Sequence, residues 1–271
     1  MRICLAQVDA TPGDLHANAC RVREAIAHAA GLGADLAVFP ELALCGYAPA
    51  GVAADTATPA AALPELARPG ELAAVVGFHE RGADGRSHNS AAWVERGRVV
   101  HVHRKLCLVD YPPFDEADRF APGEELRAFT TSLGRMAILI CNDAWQPALP
   151  ALAAHDGARV LLLVAASSTA VAVAEPTWLE LTRCYARLLA CYVVFVNRAG
   201  EEPGLSFWGG SHVVDPDGRV LAPAPRHAPS LTVADLDLER VDARRRELAL
   251  PTELRPGLLR RELARLAAAA R

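Results

Sequence analysis

The sequence predicts a layered α/β fold, and two features carry that prediction. Short apolar runs of strand length alternate along the chain with stretches whose apolar residues recur at helical spacing. Hydrophobic residues make up 52% of the 271 residues, enough to bury a substantial core and too many for a disordered chain.

The elements follow in order. Residues 2–8 read as a first strand. Residues 15–30 read as a helix, with Asp14 placed to cap its start and Gly31 and Gly33 to end it. Residues 34–39 form a second buried strand, with Pro40-Glu41 just past its end. The Ala-, Pro- and Gly-rich stretch 48–70 is expected to be a loop with a short helix. A strand over 72–79 precedes a hairpin of 90–95 and 98–103 around Arg96-Gly97. Residues 104–125 carry Pro112, Pro113, Pro122 and Gly123 and are expected to form a long ordered loop, a length that tends to be functional.

The second half repeats the rhythm. Strands are expected over 135–141, 160–166 and 192–197, with helices over 147–156 and 176–190 between them. A hairpin of 211–216 and 219–222 around Asp217-Gly218 and a strand over 231–236 come next, then a charged helical tail broken by Pro251 and Pro256. No linker or repeat divides the chain. One domain over 1–271, with a tail from about residue 239, is the expectation.

Composition excludes several functions. A net charge of −4 gives no electrostatic case for nucleic acid or an anionic membrane. No apolar run reaches the ~18–20 residues of a membrane span. The N-terminus MRICLAQVDATPGD lacks the basic-then-apolar pattern of a secretion signal. Seven cysteines, an odd number, argue against a disulfide framework, so a cytoplasmic protein is expected.

Three polar residues stand directly behind buried strands: Glu41 after AVFP, Lys105 after VVHVHR and Cys141 after AILI. Strand ends are where α/β folds gather reactive groups. A thiol nucleophile needs a base for its proton and fixed positive charge for the oxyanion, and Glu and Lys supply these. Singly, each residue has a plainer reading: a core cysteine, a turn glutamate, a surface lysine. A metal site has little support. The cysteines at 4, 20, 45, 107, 141, 184 and 191 form no C-x-x-C pair, and no histidines have H-E-x-x-H spacing. His101 and His103 read as a partly exposed strand edge, and Cys184 and Cys191 as core. Gly209-Gly210 reads as a tight backbone approach.

The flanking residues decide between these readings. FPELALCGY (39–47), HRKLCLVDYPPFDE (103–116) and ICNDAWQP (140–147) closely resemble the three catalytic motifs of the nitrilase superfamily of carbon–nitrogen hydrolases. The order Glu, Lys, Cys matches, as do the gaps of 64 residues (41 to 105) and 36 residues (105 to 141). RICLAQVDATPGDLHAN, WLELTRCYARLLACYVVFVNRAG and FWGGSHVVDPDGRVLA extend the resemblance over nearly the whole chain.

The resemblance implies a four-layer αββα sandwich and a Glu-Lys-Cys site. In it Glu41 is the general base, Lys105 the cation that stabilises the tetrahedral intermediate and Cys141 the nucleophile. Glu116 is the second glutamate that orients the other groups, and the Asn142 N–H is the second oxyanion donor. No metal or cofactor is implied. The expected partner is a small-molecule amide, and the expected assembly a homodimer or higher homo-oligomer. Leu188 and Leu189 replace a Glu-Asn pair of many relatives near that interface.

Subclass signals conflict. Asn142 stands where nitrilases usually place a Trp, which argues against a nitrile. CND followed by Trp and Pro looks like the carbamoylase branch. Tyr111, followed by FDE, and FWGGSHVVDPDG look like the glutamine-amidase domain of NAD synthetases. The 271 residues leave no room for the synthetase domain or its ATP-binding loop, so a free-standing amidase is expected. Tyr111, Phe114, Ser167, Ser168 and Trp208 are candidate pocket residues, and Arg119 or Arg198 could receive a substrate carboxylate. The expected activity is thiol-dependent hydrolysis of a small linear amide or N-carbamoyl compound. The alternatives are a glutaminase-like ammonia supplier, an acyltransferase using the same thioester, and a non-catalytic binding relative.

Overall fold

The computed structural model describes residues 1–47, 56–68, 70–249 and 253–269. In chain order, β1 (Arg2–Gln7), β2 (Leu36–Val38), β3 (Ala73–Arg81), β4 (Ser87–Glu95) and β5 (Arg98–Arg104) build a first sheet. β6 (Phe129–Thr131), β7 (Gly134–Ile140), β8 (Val160–Ala165) and β9 (Tyr192–Asn197) build a second. β10 (Ala199–Glu202) and β11 (Leu205–Trp208) form a separate hairpin. β12 (His212–Val214) joins the second sheet, and β13 (Ser230–Asp235) returns to the first. The strand orders are β13-β1-β2-β3-β4-β5 and β12-β9-β8-β7-β6. Each sheet has three parallel strands at its centre, β1-β2-β3 and β7-β8-β9, and antiparallel neighbours outside them.

Parallel strands covered on both faces must be apolar throughout, which is why AILI and VLLLVA are continuous runs. Alternation then decides which residue faces which layer. Met136, Ile138 and Ile140 of β7, Val160, Leu162 and Val164 of β8 and Tyr192, Val194 and Val196 of β9 meet Ile3, Leu5, Leu36, Val38, Val75 and Trp93 between the sheets. The intervening residues face helices. Val22, Ala25, Ile26 and Ala29 of α1 (Leu15–Gly31) cover Cys4, Ala37, Phe39 and Val76. Ala153 of α3 (Ala148–His155) and Trp178, Tyr185 and Ala186 of α4 (Ala174–Leu189) cover Leu139, Leu161, Leu163 and Phe195. The layers are therefore helix, sheet, sheet, helix, as expected. Each buried aliphatic side chain contributes ~1.5–3 kcal/mol relative to exposure.

Local signals are borne out at several points. The Asp14 side chain accepts from Ala17 N at 2.9 Å, and Arg96 and Gly97, both with positive φ, make the β4–β5 turn. Gly209 does mark a close approach: a Cβ there would sit 2.5 Å from Gln7 Nε2. The loop over 104–125 contains a short helix, α2 (Glu116–Arg119). Within the stretch 48–70, residues 48–55 and 69 lie outside the described residues, and Ala60–Leu66 is a 3-10 helix.

Three expectations need correction. The hairpin over 211–222 is present but short: Asp215 N bonds Arg219 O at 3.0 Å and Leu221 N bonds Val213 O at 2.9 Å around Gly218, while only its first arm, β12, is a regular strand and the second is held by the single bridge Val214 to Val220. Cys184 is exposed on the outer face of α4, whereas Cys191 is core. His103 is buried, not at an exposed edge. The tail forms α5 (Leu238–Glu247) and α6 (Pro256–Ala269). No described helix is long and apolar enough to cross a membrane.

Candidate active site

Glu41, Lys105 and Cys141 each follow a strand, β2, β5 and β7. β5 is antiparallel to β4, which is antiparallel to β3, so β2 and β5 point the same way and deliver Glu41 and Lys105 to one edge of the first sheet. Cys141, after β7, and Ala166 to Ser168, after β8, leave the corresponding edge of the second sheet. The seam between the sheets closes where Ala166 N donates to Glu41 Oε2 at 2.8 Å.

The polar core of the site is fully buried. Lys105 Nζ donates to Glu41 Oε1 and to Glu116 Oε1, each at 2.7 Å. Glu116 also accepts from Tyr47 OH at 2.6 Å and from Val109 N at 2.8 Å. Asn89 Nδ2 donates to Glu41 Oε1 at 2.7 Å. An ammonium has three protons and each carboxylate oxygen two acceptor sites. Among the described residues, Glu41 Oε1 is therefore full, Glu41 retains one acceptor site on Oε2 for the Cys141 thiol, and Lys105 retains one undirected proton.

Burial opposes the Lys105 ammonium, but Glu116 and Glu41 outweigh it and hold its pKa well above the ordinary lysine value. Burial pushes the Glu41 carboxyl up, and Lys105 only partly offsets this. Burial likewise pushes the Cys141 thiol well up. The charge of Glu41 and its hydrogen bond to the thiol add to the rise, against a smaller opposing effect of Lys105.

Cys141 opens a short 3-10 turn, Cys141–Trp145, with φ at +46°, a left-handed conformation that costs a non-glycine residue ~1–3 kcal/mol. Asp143 holds it. One carboxylate oxygen accepts from Leu106 N (2.9 Å) and Cys107 N (2.8 Å), and the other from Ile140 N (3.0 Å) and His103 Nε2 (2.9 Å). A single buried acid thus ties the cysteine turn to the segment behind Lys105. Asn142 lies in the first turn, where backbone N–H groups have no acceptor within the turn, and its side chain donates to Cys107 O at 3.2 Å.

A cavity of about 40 Å³ ends on Cys141. Tyr111, Phe114, Asn142, Ser167 and Ser168 line it, as expected, together with Tyr47, Trp145 and Trp178. Trp208 does not. It lies behind Ser167, donates to Ser167 Oγ at 3.3 Å and stacks on Phe195, so Trp178 takes the wall position assigned to it. Arg119 and Arg198 are also committed elsewhere. Arg119 bonds Tyr47 O and pairs with Asp115, and Arg198 pairs with Asp9 and Glu202 over the Phe207 ring. A larger open groove of about 810 Å³ beside α1 shares no residue with the site.

Sequence reasoning missed Tyr47, Asn89, His103 and Asp143 as parts of this network. Tyr47 and Asp143 lie inside the quoted motifs, six residues after Glu41 and two after Cys141. Their roles required knowing which carboxylate and which loop they face. Asn89 carried no local signal, since its partner is set by strand pairing.

Comparison with known proteins agrees with the geometry. A family model described as carbon-nitrogen hydrolase matches residues 2–246. The chain is 31% identical over 262 residues to a glutamine-dependent NAD(+) synthetase of Thermotoga maritima, covering 91% of this chain and 45% of the relative. It spans less than half the length of such synthetases. It is 34% identical over 256 residues to an (R)-stereoselective amidase of Pseudomonas sp, covering 91% and 89%. Among solved structures, a mutant of the amidase from Nesterenkonia sp. AN1, with the acetamide moiety of fluoroacetamide added covalently at the active site cysteine, superposes with a TM-score of 0.82. Its identity is 28%, over 96% of both chains. With the family model spanning both sheets and all three strand-end residues, the chain belongs to the carbon–nitrogen hydrolase family.

Proposed function

We propose that this carbon–nitrogen hydrolase cleaves small linear amides through a thioester on Cys141. The observation that supports it most is the buried Lys105 ammonium held between Glu41 and Glu116, with one proton undirected and the Cys141 thiol hydrogen-bonded to Glu41. Glu41 accepts the thiol proton as the sulfur attacks the amide carbon. Burial and the charge of Glu41 favour the protonated thiol, so on this reading Glu41 takes the proton as the sulfur attacks. The free Lys105 proton and the Asn142 N–H receive the oxyanion, an interaction worth roughly 3 kcal/mol per donor. Glu41 returns the proton to the departing nitrogen, the C–N bond breaks and ammonia leaves. Glu41 then takes a proton from water, whose oxygen attacks the thioester, and the carboxylic acid is released as the thiol is restored. Glu116 positions Lys105 throughout.

The test is ammonia release from a panel of amides and N-carbamoyl compounds, with peptide mass mapping of the trapped acyl group. The acyl mass is expected on the peptide bearing Cys141. Turnover with the acyl group on another residue would refute the reading. A second reading, glutamine hydrolysis that supplies ammonia to a partner, draws on the likeness to glutamine-dependent NAD(+) synthetases across 91% of the chain. Glutamine therefore belongs in the panel.

The pH profile gives an independent check. Glu41 must be ionised to act as base, so kcat/KM rises as pH passes upward through its pKa. Burial raises that pKa, so the acid limb is expected above the ordinary glutamate value of ~4.3. Glu41→Gln should remove the limb along with most of the activity. A limb at or below the ordinary value would contradict the assignment.

A further inference from the structure

The cavity on Cys141 has an uncharged lining. Tyr47, Tyr111 and Phe114 pack edge to face at 5.9 and 5.6 Å, Trp145 and Trp178 do so at 5.8 Å, and Val171 adds aliphatic surface. Among the described residues no lining side chain carries a formal charge. Residues 48–55, APAGVAAD, contribute no Lys, Arg or His by sequence. Arg119 and Arg198 are held by Asp115 and by Asp9 and Glu202. A substrate with a free carboxylate would enter a narrow apolar site without a described counter-ion, which is strongly unfavourable.

Ser167 is one of the polar side chains in this wall, with Ser168 and Asn142, and its hydrogen bonds define what it can do. Trp178 Nε1 donates to its Oγ at 3.1 Å and Trp208 Nε1 at 3.3 Å. A serine hydroxyl has two acceptor lone pairs and one proton. The two indoles fill both lone pairs, and no acceptor for the proton exists among the described residues. The backbone is fixed by Asn197, whose Oδ1 accepts from Ser167 N at 2.8 Å and whose Nδ2 donates to Ser167 O at 3.2 Å. Ser167 is also the residue after Ala166, whose N–H holds the Glu41 carboxylate. It is a buried donor with its acceptor capacity used up, in the wall of the cavity that ends on the thiol.

We propose that Ser167 is a specificity residue. It donates its proton to an acceptor oxygen on the acyl group of an uncharged, otherwise apolar carboxamide. The proposal rests on the amide-hydrolysis reading above and narrows its substrate class away from glutamine and N-carbamoyl amino acids.

Matched substrates test it on the intact protein. Methoxyacetamide and butyramide differ by an ether oxygen in place of a methylene, and L-glutamine adds the charged groups. Wild type is expected to prefer methoxyacetamide, with L-glutamine at least about 100-fold lower in kcat/KM than either. Ser167→Ala should lower the methoxyacetamide-to-butyramide ratio of kcat/KM about tenfold, the scale of one lost hydrogen bond. Comparing the two-substrate ratio between wild type and variant cancels the intrinsic reactivity of the ether. Ser167→Cys, which nearly keeps the volume and weakens the donor, should move the ratio the same way and guards against misfolding of the alanine variant. An unchanged ratio in both variants, or L-glutamine as the best substrate, overturns the proposal and leaves the thioester reading standing. Absence of Cys141-dependent ammonia from all three amides overturns both.

Discussion

Lys105→Met is expected to lower kcat/KM for amide hydrolysis by about 10⁴-fold or more and to destabilise the fold by roughly 3 kcal/mol. Two effects combine in the activity. Loss of one oxyanion donor costs ~10²–10³-fold. The remainder comes from Glu41: without the ammonium, Glu41 and Glu116 are left as two buried carboxylates sharing one site, and one must take a proton. Since burial already raises the Glu41 pKa, the base itself is compromised. The stability loss is that of removing one partner from a buried ion pair, ~3–5 kcal/mol, reduced by that protonation. The double variant Lys105→Met/Glu116→Gln removes one of the stranded charges. It should regain much of the stability in urea unfolding without regaining ammonia release. Activity restored by the double variant would show that Lys105 serves only to balance charge.

Gly77→Ala is the second large effect, and it acts at a distance from the chemistry in sequence. Gly77 lies in β3, and a Cβ there would sit 2.2 Å from Pro40 O, 2.6 Å from Leu42 N and 2.8 Å from Glu41 Cα. All three are backbone atoms, so no side chain can rotate away. Relief requires the Pro40–Leu42 segment to lift off the sheet, with Leu42 already in a left-handed conformation at φ +51°. Overpacking of this kind costs ~1–3 kcal/mol, and a 1 Å displacement of a catalytic group can cost ~10²-fold in rate. A fall in kcat/KM of about 100-fold with a lowered unfolding midpoint is expected. Native activity with native stability would show that the close approach does not position Glu41.

These two variants mark the boundary of what the sequence discloses. Lys105 was legible because it lies within the second quoted motif, at a matching distance from Glu41 and Cys141. The helix over 15–30 and the strand over 192–197 were legible because a cap residue and a continuous apolar run are local signals. Gly77 was not, because its meaning depends on β2 and β3 lying side by side. His103 reads as an edge residue by alternation with His101, and only the face-to-face docking of the sheets brings it onto Asp143. Trp208 and Trp178 are equivalent in sequence terms. Both indoles donate to Ser167 Oγ, and only the packing of α4 against β11 decides that Trp178 lines the cavity and Trp208 does not.

The hydrogen bond from Ala166 N to Glu41 Oε2 has a consequence for how such a chain can be divided or inherited. Glu41, Lys105 and Glu116 all belong to the segment before residue 124, while Cys141, Ala166 and Ser167 belong to the segment after it. On the proposed reading neither segment holds both the nucleophile and its base, and catalytic competence is a property of the docked pair of sheets, which neither half carries alone.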